Sequence, residues 1–238
     1  LAAAAVLDDT VYIAGGTDGL ATQAGVLRYA LDGEGWEVAP AMPSARAQLA
    51  MVTLGDHVYA IGGEDDGLPL NLISRLGDGD EAWQALQPMP STRFGLDAAV
   101  WQGKIYVFGG KTNGGVVVPT LEVYDPAQNS WSNAVEQMPR ARYGHRVIEH
   151  DGRIYVIGGE DEEGRPFAEI DVYLPESDQW QQIAALPTAR SFASVTFNRN
   201  LGEVKGGYEG IVVSGGRLLG GAPTAVVEEY IIDDATWR

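Results

Sequence analysis

Short apolar runs with a period of two residues follow one another along the whole chain, separated by segments rich in Gly, Asp, Asn and Pro. In one such run Ile105 and Val107 alternate with Tyr106 and Phe108, and two glycines end it. This alternation predicts β-strands, and no segment between the runs has the pattern of a helix. The sequence therefore predicts an all-β protein of short strands joined by tight turns.

A repeat of roughly 48 residues organises these strands. Each copy has a Gly-Gly doublet after an apolar strand and a Trp 21 or 22 residues after the first Gly, and the doublets are 47, 47, 49 and 57 residues apart. The marker residues are Gly15, Gly16, Gly62, Gly63, Gly109, Gly110, Gly158, Gly159, Gly215 and Gly216, with Trp36, Trp83, Trp131, Trp180 and Trp237. Because the markers recur in every copy, we interpret them as structural residues.

Each copy is predicted to form four antiparallel strands, A to D. In the third copy, strand A is predicted over Gly95–Trp101, strand B over Lys104–Gly110, strand C over Thr120–Pro126, and strand D from Trp131 to about residue 138. Four strands per copy without a helix indicate blades arranged around an axis, with strand A innermost. We expect one domain over residues 1–238, with repeats at approximately 1–43, 44–90, 91–139, 140–187 and 188–238.

After the first four repeat tryptophans the chain reads MPSAR, MPSTR, MPRAR and LPTAR. Together with the glycine doublet and the Trp at a fixed distance, this Pro-x-x-Arg element resembles the kelch repeats of β-propellers. The resemblance covers essentially the whole chain and implies a kelch-type β-propeller with five recognisable four-stranded blades. It also implies a disc that mostly holds other proteins, with a minority of enzymes in the family.

Both ends of the chain fall inside a repeat. Residues 1–7 align with strand A of the second copy, and Trp237 and Arg238 begin a strand D. We therefore expect a processed or incomplete chain with an unfinished last blade, and a full ring of five, six or more blades. The sequence is compatible with any cellular compartment, although an extracytoplasmic location is slightly favoured if the absent initiating Met reflects processing.

Charge and composition oppose several functions. The net charge of −17 opposes binding to nucleic acid or to anionic membranes, which attract cations. The absence of Cys excludes disulfides, thiolate metal sites and the Cys–Tyr cross-link of kelch-like copper-radical oxidases. No apolar run approaches the ~20 residues of a membrane span. Because no nucleophile or phosphate motif and no metal-ligand set is present, we expect no cofactor and no metal.

Strand direction places the B–C and D–A loops on one face of the propeller. This face carries loops that differ between copies on a constant framework, which is where recognition usually occurs. The candidate binding residues are Arg46, Arg93, Arg142, Arg190, Phe94, Tyr143, Lys111, Arg217, Glu64, Asp65, Asp66 and Asp161. For the four repeated arginines we favour a structural role in the D–A loop, with a ring of carboxylate-binding donors as the alternative.

The sequence predicts a non-catalytic module that presents this face to a protein or peptide, as a possible part of a larger assembly. The alternative is a cofactor-free sugar binder, mutarotase or epimerase, with Asp97, Glu160 and Arg146 as candidate acid–base residues. Asp97 and Arg146 hold the same position in neighbouring copies, so we expect an ion pair near the axis. His145 is interpreted as part of the framework.

The fifth copy has nine extra residues between strands A and B, within Asn198–Glu209. This insertion contains Arg199 and Lys205 and lies on the face opposite the variable loops. We predict a second contact surface there. A longer hairpin without a partner is the alternative, because surface insertions cost little.

Overall fold

Five four-stranded antiparallel sheets account for most of the computed structural model, which describes residues 1–133, 135–200, 208–232 and 235–237. Each sheet is one repeat, and its strands A to D pair in chain order. The five sheets are the blades of a β-propeller, arranged in a ring. Strand A is innermost, as predicted, since residues from this strand or its immediate start in all five blades line one axial cavity of about 480 Å³.

The strand bounds follow the repeat. In blades 1 to 5, strand A spans Ala3–Leu7, Ala50–Leu54, Asp97–Trp101, Arg146–His150 and Ser194–Asn200. Strand B spans Thr10–Ala14, His57–Ile61, Lys104–Phe108, Arg153–Ile157 and Tyr208–Ser214. Strand C spans Val26–Ala30, Ile73–Gly77, Leu121–Asp125, Ile170–Leu174 and Val227–Ile231. Strand D spans Glu37–Ala39, Gln84–Ala85, Ser130–Ser132, Gln179–Gln182 and Thr236–Trp237. Two smaller elements lie in B–C loops: a hairpin of Glu64–Asp65 and Leu68–Pro69, and a 3₁₀ turn at Leu219–Gly221.

Two boundaries in blade 3 differ from the prediction. Strand D ends at Ser132 rather than near residue 138, because the chain leaves the outer edge and buries Met138 against Gly109, directly after strand B. Strand A begins at Asp97 rather than at Gly95, because Gly95 has a φ of 62° and so cannot continue an extended strand.

The insertion of blade 5 lengthens the hairpin. Strand A continues to Asn200 and strand B begins at Tyr208, whereas the sequence predicted an end at Phe197 and a start at Gly210. Residues 201–207, which include Lys205, lie outside the described residues. The second contact surface therefore stays a prediction.

Hydrophobic side chains packed between neighbouring blades form the core. Separate clusters join blades 1 and 2, 2 and 3, 3 and 4, and 4 and 5. We call each of these contacts a junction. In the junction between blades 3 and 4, Phe108 packs against Tyr173 and Trp180 with near-perpendicular rings, at centroid distances of 6.3 and 6.1 Å. Burying such aromatic area is the main stabilising contribution of a junction.

Three hydrogen bonds recur at the four junctions. The repeat Trp donates its indole N–H to a carbonyl of the preceding blade at 2.7–3.4 Å: Trp83 to Pro40, Trp131 to Gln87, Trp180 to Glu136 and Trp237 to Ala184. The second Gly donates its N–H to an Arg carbonyl of the following blade at 2.8–3.0 Å: Gly16 to Arg46, Gly63 to Arg93, Gly110 to Arg142 and Gly159 to Arg190. Near the axis, the N–H groups of Gln48, Gly95, Gly144 and Phe192 donate to the carbonyls of Leu1, Gln48, Gly95 and Gly144 at 2.6–3.0 Å.

In blades 1 to 4 the first Gly of the doublet permits the close approach of the next blade. Gly109 has a φ of 53°, and a Cβ at this position would lie 2.4 Å from the carbonyl oxygen of Arg142. A side chain would therefore meet both backbone strain and a collision.

In the described part of the chain, no helix is long and apolar enough to cross a membrane.

Candidate binding face

The arginines of the Pro-x-x-Arg elements are buried inside the blades. Their side chains are at most 1 % exposed: Arg46, Arg93, Arg142 and Arg190. Each guanidinium donates from Nη1 to backbone carbonyls of strand B or the glycine doublet and of the residues that lead into strand C. The arginine thus ties the D–A loop to the sheet of the blade that follows it.

A side-chain oxygen on strand C accepts a hydrogen bond from the second guanidinium nitrogen, Nη2. Arg93 pairs with Glu122 at 2.7 Å, Arg142 pairs with Asp171, and Arg190 pairs with Glu228 at 2.5 Å. These carboxylates neutralise the buried positive charges. In blade 2 the same place is taken by Ser74, whose hydroxyl lies 2.7 Å from Arg46 Nη2. Burial lowers the pKa of Arg46 to about 10.

This placement agrees with the structural interpretation of the four arginines and not with the binding interpretation, because guanidinium groups inside the sheets cannot reach a ligand on the face. Sequence reasoning missed their acidic partners. A signal was present, since Glu122, Asp171 and Glu228 each stand two residues before the repeat Tyr of their strand.

The acidic candidates lie in the loops and shape them. Glu64 accepts the N–H of Gly67 at 2.6 Å, and Asp65 lies in the small hairpin of blade 2. Asp66 donates its N–H to the hydroxyl of Thr22 in blade 1 at 3.1 Å. Asp161 pairs with Arg165 at 2.7 Å within its own loop. Over the described ranges, no three His, Asp or Glu side chains are grouped so that they could hold a metal ion.

Three aromatic side chains form an arc on this face: Phe94, Tyr143 and Phe192. The ring centroids of Phe94 and Tyr143 are 6.4 Å apart, and those of Tyr143 and Phe192 are 5.6 Å apart. All three are half-buried, and Phe192 lines the mouth of the axial cavity. The sequence predicted the first two but not Phe192, because blade 5 has Ser191 directly after its Arg and carries the ring one residue later.

Two cations lie against this arc. Lys111 Nζ is 4.9 Å from the centroid of the Tyr143 ring, and the Arg217 guanidinium is 5.0 Å from the centroid of the Phe192 ring. Neither has a carboxylate partner among the described residues. The quadrupole of an aromatic ring attracts a cation over its face but does not neutralise the charge.

Glu160 holds in blade 4 the repeat position that Lys111 holds in blade 3 and Arg217 holds in blade 5. Its carboxylate is hydrogen-bonded to two side chains of the face. It accepts hydrogen bonds from the hydroxyls of Tyr143 and Ser191, each at 2.5 Å. Burial and this bond to Glu160 raise the pKa of Tyr143 to about 12. The arc is therefore fixed by side-chain hydrogen bonds, and the Glu160 carboxylate pairs with neither cation.

The expected ion pair near the axis is present. Arg146 Nη1 lies 3.9 Å from Asp97 Oδ2, and Arg146 Nε donates to the carbonyl of Ala193 at 2.9 Å. Asp97 also accepts the N–H of Val147 at 2.9 Å. Burial raises the pKa of Asp97, and Arg146 opposes that shift. The pair connects the first strands of blades 3, 4 and 5.

His145 is fully buried, and among the described residues neither ring nitrogen has a hydrogen-bond partner. Its ring packs beside Gly109 and its Cβ beside Gly159, at the junction of blades 3 and 4. Burial, together with the positive charges of Arg142, Arg146 and Arg93, holds the pKa of His145 well below its usual value. The imidazole is therefore neutral in the folded protein.

Acidification is expected to destabilise the protein through His145. Below about pH 6.5 the unfolded chain binds a proton that the folded chain rejects, so the free energy of unfolding falls by up to about 1.4 kcal/mol per pH unit from this group. Urea unfolding at pH 7.5, 6.5 and 5.5 measures the slope. His145→Leu should reduce it, and His57→Leu, which removes a partly exposed histidine, is the control for the loss of an imidazole. An unchanged slope in His145→Leu would show that His145 does not contribute.

The chain matches a model of a known protein family. The model described as the KLHDC2/KLHL20/DRC7 Kelch-repeats domain matches residues 1–207, which cover blades 1 to 4 and strand A of blade 5. No curated protein matches the chain.

Proposed function

The chain belongs to the kelch-repeat family of β-propellers, and from this premise we propose that it is a protein-binding module that uses the face of the B–C and D–A loops. Kelch-repeat propellers are typically protein-interaction modules. The proposed contact surface, which we call the aromatic arc, consists of Phe94, Tyr143 and Phe192 with Lys111 and Arg217. The buried arginines are not part of it.

The observation that carries the proposal is the pair of uncompensated cations on the aromatic rings. In a chain with a net charge of −17, most described cations are paired with carboxylates, whereas Lys111 and Arg217 are not. Aromatic and Arg side chains are enriched among residues that dominate binding energy at protein interfaces. The arc therefore suits an extended peptide segment that carries an apolar side chain and a nearby carboxylate.

The alternative of a sugar enzyme has less support. Asp97 and Arg146 are bonded to strand backbone, and Glu160 is bonded to Tyr143 and Ser191. All three candidate acid–base groups thus have a role in holding the blades or the arc. No described contact favours catalysis over binding.

Peptides selected on the protein are expected to require both cations. We propose selection of random 12-residue peptides displayed on phage, followed by affinity measurements of the selected peptides. They should be enriched in Asp and Glu. Each single variant, Lys111→Glu and Arg217→Glu, should weaken binding by about tenfold or more, which corresponds to ~1.4 kcal/mol.

The matched control is Arg153→Glu. Arg153 is exposed at the A–B turn of blade 4, on the opposite face, and the substitution changes the net charge by the same amount. This variant should bind the selected peptides with nearly unchanged affinity. Peptides that bind all three variants like the unsubstituted protein would refute the aromatic arc as the binding surface.

A further inference from the structure

Of the four buried repeat arginines, Arg46 alone has no carboxylate partner within the described residues. Its side chain is 1 % exposed, and it donates hydrogen bonds to the carbonyls of Ala60 and Leu72 and to the hydroxyl of Ser74. Burial lowers its pKa only to about 10, so the guanidinium stays charged at neutral pH. A buried charge held by neutral groups alone is costly unless a counter-ion accompanies it.

Blades 3 and 5 show how a negative charge is held at this place. Glu122 accepts a hydrogen bond from Nη2 of its arginine at 2.7 Å and a second one from the hydroxyl of Ser91 at 3.1 Å. Glu228 accepts the equivalent pair, and the hydroxyl of Thr188 is its second donor at 2.6 Å. Ser91 and Thr188 both stand two residues before the repeat arginine. The arginine and this hydroxyl thus hold one carboxylate between them.

Blade 2 has small residues at three positions that are filled in blade 4. There Arg140 donates to Asp171 at 2.5 Å and to Gln182 at 3.1 Å, and Asp171 and Gln182 are paired across strands C and D. Paired residues of neighbouring strands project to the same side of a sheet. The equivalents in blade 2 are Ser44, Ser74 and Ala85. The shorter side chains leave space where the carboxylate of blade 4 lies.

The donors of the arrangement are kept in blade 2. Ser44 stands two residues before Arg46, as Ser91 does before Arg93. Its side chain is half-buried, and over the described ranges its hydroxyl makes no hydrogen bond. By equivalence with blade 3, the hydroxyl of Ser44 and Nη2 of Arg46 lie on two sides of the position that a carboxylate holds there.

We propose that blade 2 binds a small monovalent anion, chloride, between Arg46 Nη2 and the hydroxyls of Ser44 and Ser74. One negative charge matches the single carboxylate of blades 3, 4 and 5. A spherical ion accepts hydrogen bonds from donors in several directions, so it suits three side chains from two segments. Because Ser44 is half-buried, the path from solvent is short. The net charge of −17 opposes anion binding, and we therefore expect an affinity in the millimolar range.

Chloride is expected to stabilise the protein. The melting temperature is measured at constant ionic strength while gluconate is replaced stepwise by chloride. A ligand that binds only the folded state stabilises it by RT ln(1 + [L]/Kd), so at about tenfold above the dissociation constant the ratio of unfolded to folded protein should fall about elevenfold. Bromide should act in the same way, and in crystals grown with bromide its anomalous signal should lie beside Arg46 Nη2.

Ser74→Asp is the first matched variant, because it gives Arg46 the carboxylate that Asp171 gives Arg142. In gluconate it should melt at a higher temperature than the original chain. Its response to chloride should be limited to the general effect of exchanging one salt for another. The difference between the two chains therefore isolates binding at this site.

Ser44→Ala is the second variant, and Ser91→Ala is its control. Loss of one hydrogen bond should weaken chloride binding about fivefold in Ser44→Ala. Ser91→Ala removes the same hydroxyl beside a carboxylate, so its chloride response should equal that of the original chain. The proposal is overturned if chloride stabilises the original chain no more than Ser74→Asp, if Ser44→Ala responds to chloride like the original chain, or if no bromide lies beside Arg46.

Discussion

Replacing Gly109 with alanine is expected to lower the free energy of unfolding by about 3–5 kcal/mol, and the same replacement at Gly215 by only about 1–2 kcal/mol. Both glycines have positive φ, 53° and 65°, so alanine is strained to a similar extent at each. Only at Gly109 does the new Cβ also collide with a backbone carbonyl, 2.4 Å away, at a packed junction. The difference between the two variants isolates the cost of that collision.

Thermal and chemical unfolding of the two variants check this expectation. A loss of 3–5 kcal/mol corresponds to a fall in melting temperature on the order of 10 °C for a domain of this size. Gly158→Ala should resemble Gly109→Ala, since its Cβ would also lie 2.4 Å from an Arg carbonyl oxygen. Equal losses at Gly109 and Gly215 would mean that backbone strain alone accounts for the effect.

The second large effect is expected at Glu122, the buried partner of Arg93. Glu122→Gln removes the negative charge and leaves a guanidinium that is 0 % exposed without its counter-ion. Removing one member of a buried ion pair costs about 3–5 kcal/mol, because the remaining charge stays desolvated.

Glu37→Gln is the matched control for Glu122→Gln. Glu37 pairs with Arg28 at 2.9 Å, but its side chain is 66 % exposed. An exposed pair contributes less than about 1 kcal/mol, and salt screens it. Urea unfolding at low and high salt separates the two cases. If Glu122→Gln costs no more than Glu37→Gln, the buried arginines do not depend on their carboxylates for stability.

The repeat markers made the fold predictable. Glycine doublets with a Trp at a fixed distance define both the blade and its neighbours. Gly109 lies against the backbone of the following blade, and Trp131 donates its indole N–H to a carbonyl of the preceding blade. The period-two runs placed strands A to C to within about two residues, except in the lengthened hairpin of blade 5. Strand D was overestimated, because an edge strand has one neighbour and burial of Met138 draws the chain away.

The site was predicted only in part. The sequence placed the arginines on the correct loop, but the direction of a long side chain depends on where a partner lies, and Glu122 is 29 residues away from Arg93. Phe192 was missed because blade 5 has Ser191 at the position of Tyr143 and carries its ring one residue later, where blades 3 and 4 have a glycine. Loop geometry of this kind is fixed by tertiary contacts that no local pattern records.

The junction hydrogen bonds have a consequence for how the protein folds. The indole bonds of Trp83, Trp131, Trp180 and Trp237 span 43, 44, 44 and 53 residues along the chain. Each new blade therefore searches for a partner about one repeat away, however many blades precede it. Because folding slows as contacting residues become more distant in sequence, this propeller can assemble blade by blade, even during synthesis, without the delay that a ring of twenty strands would otherwise impose.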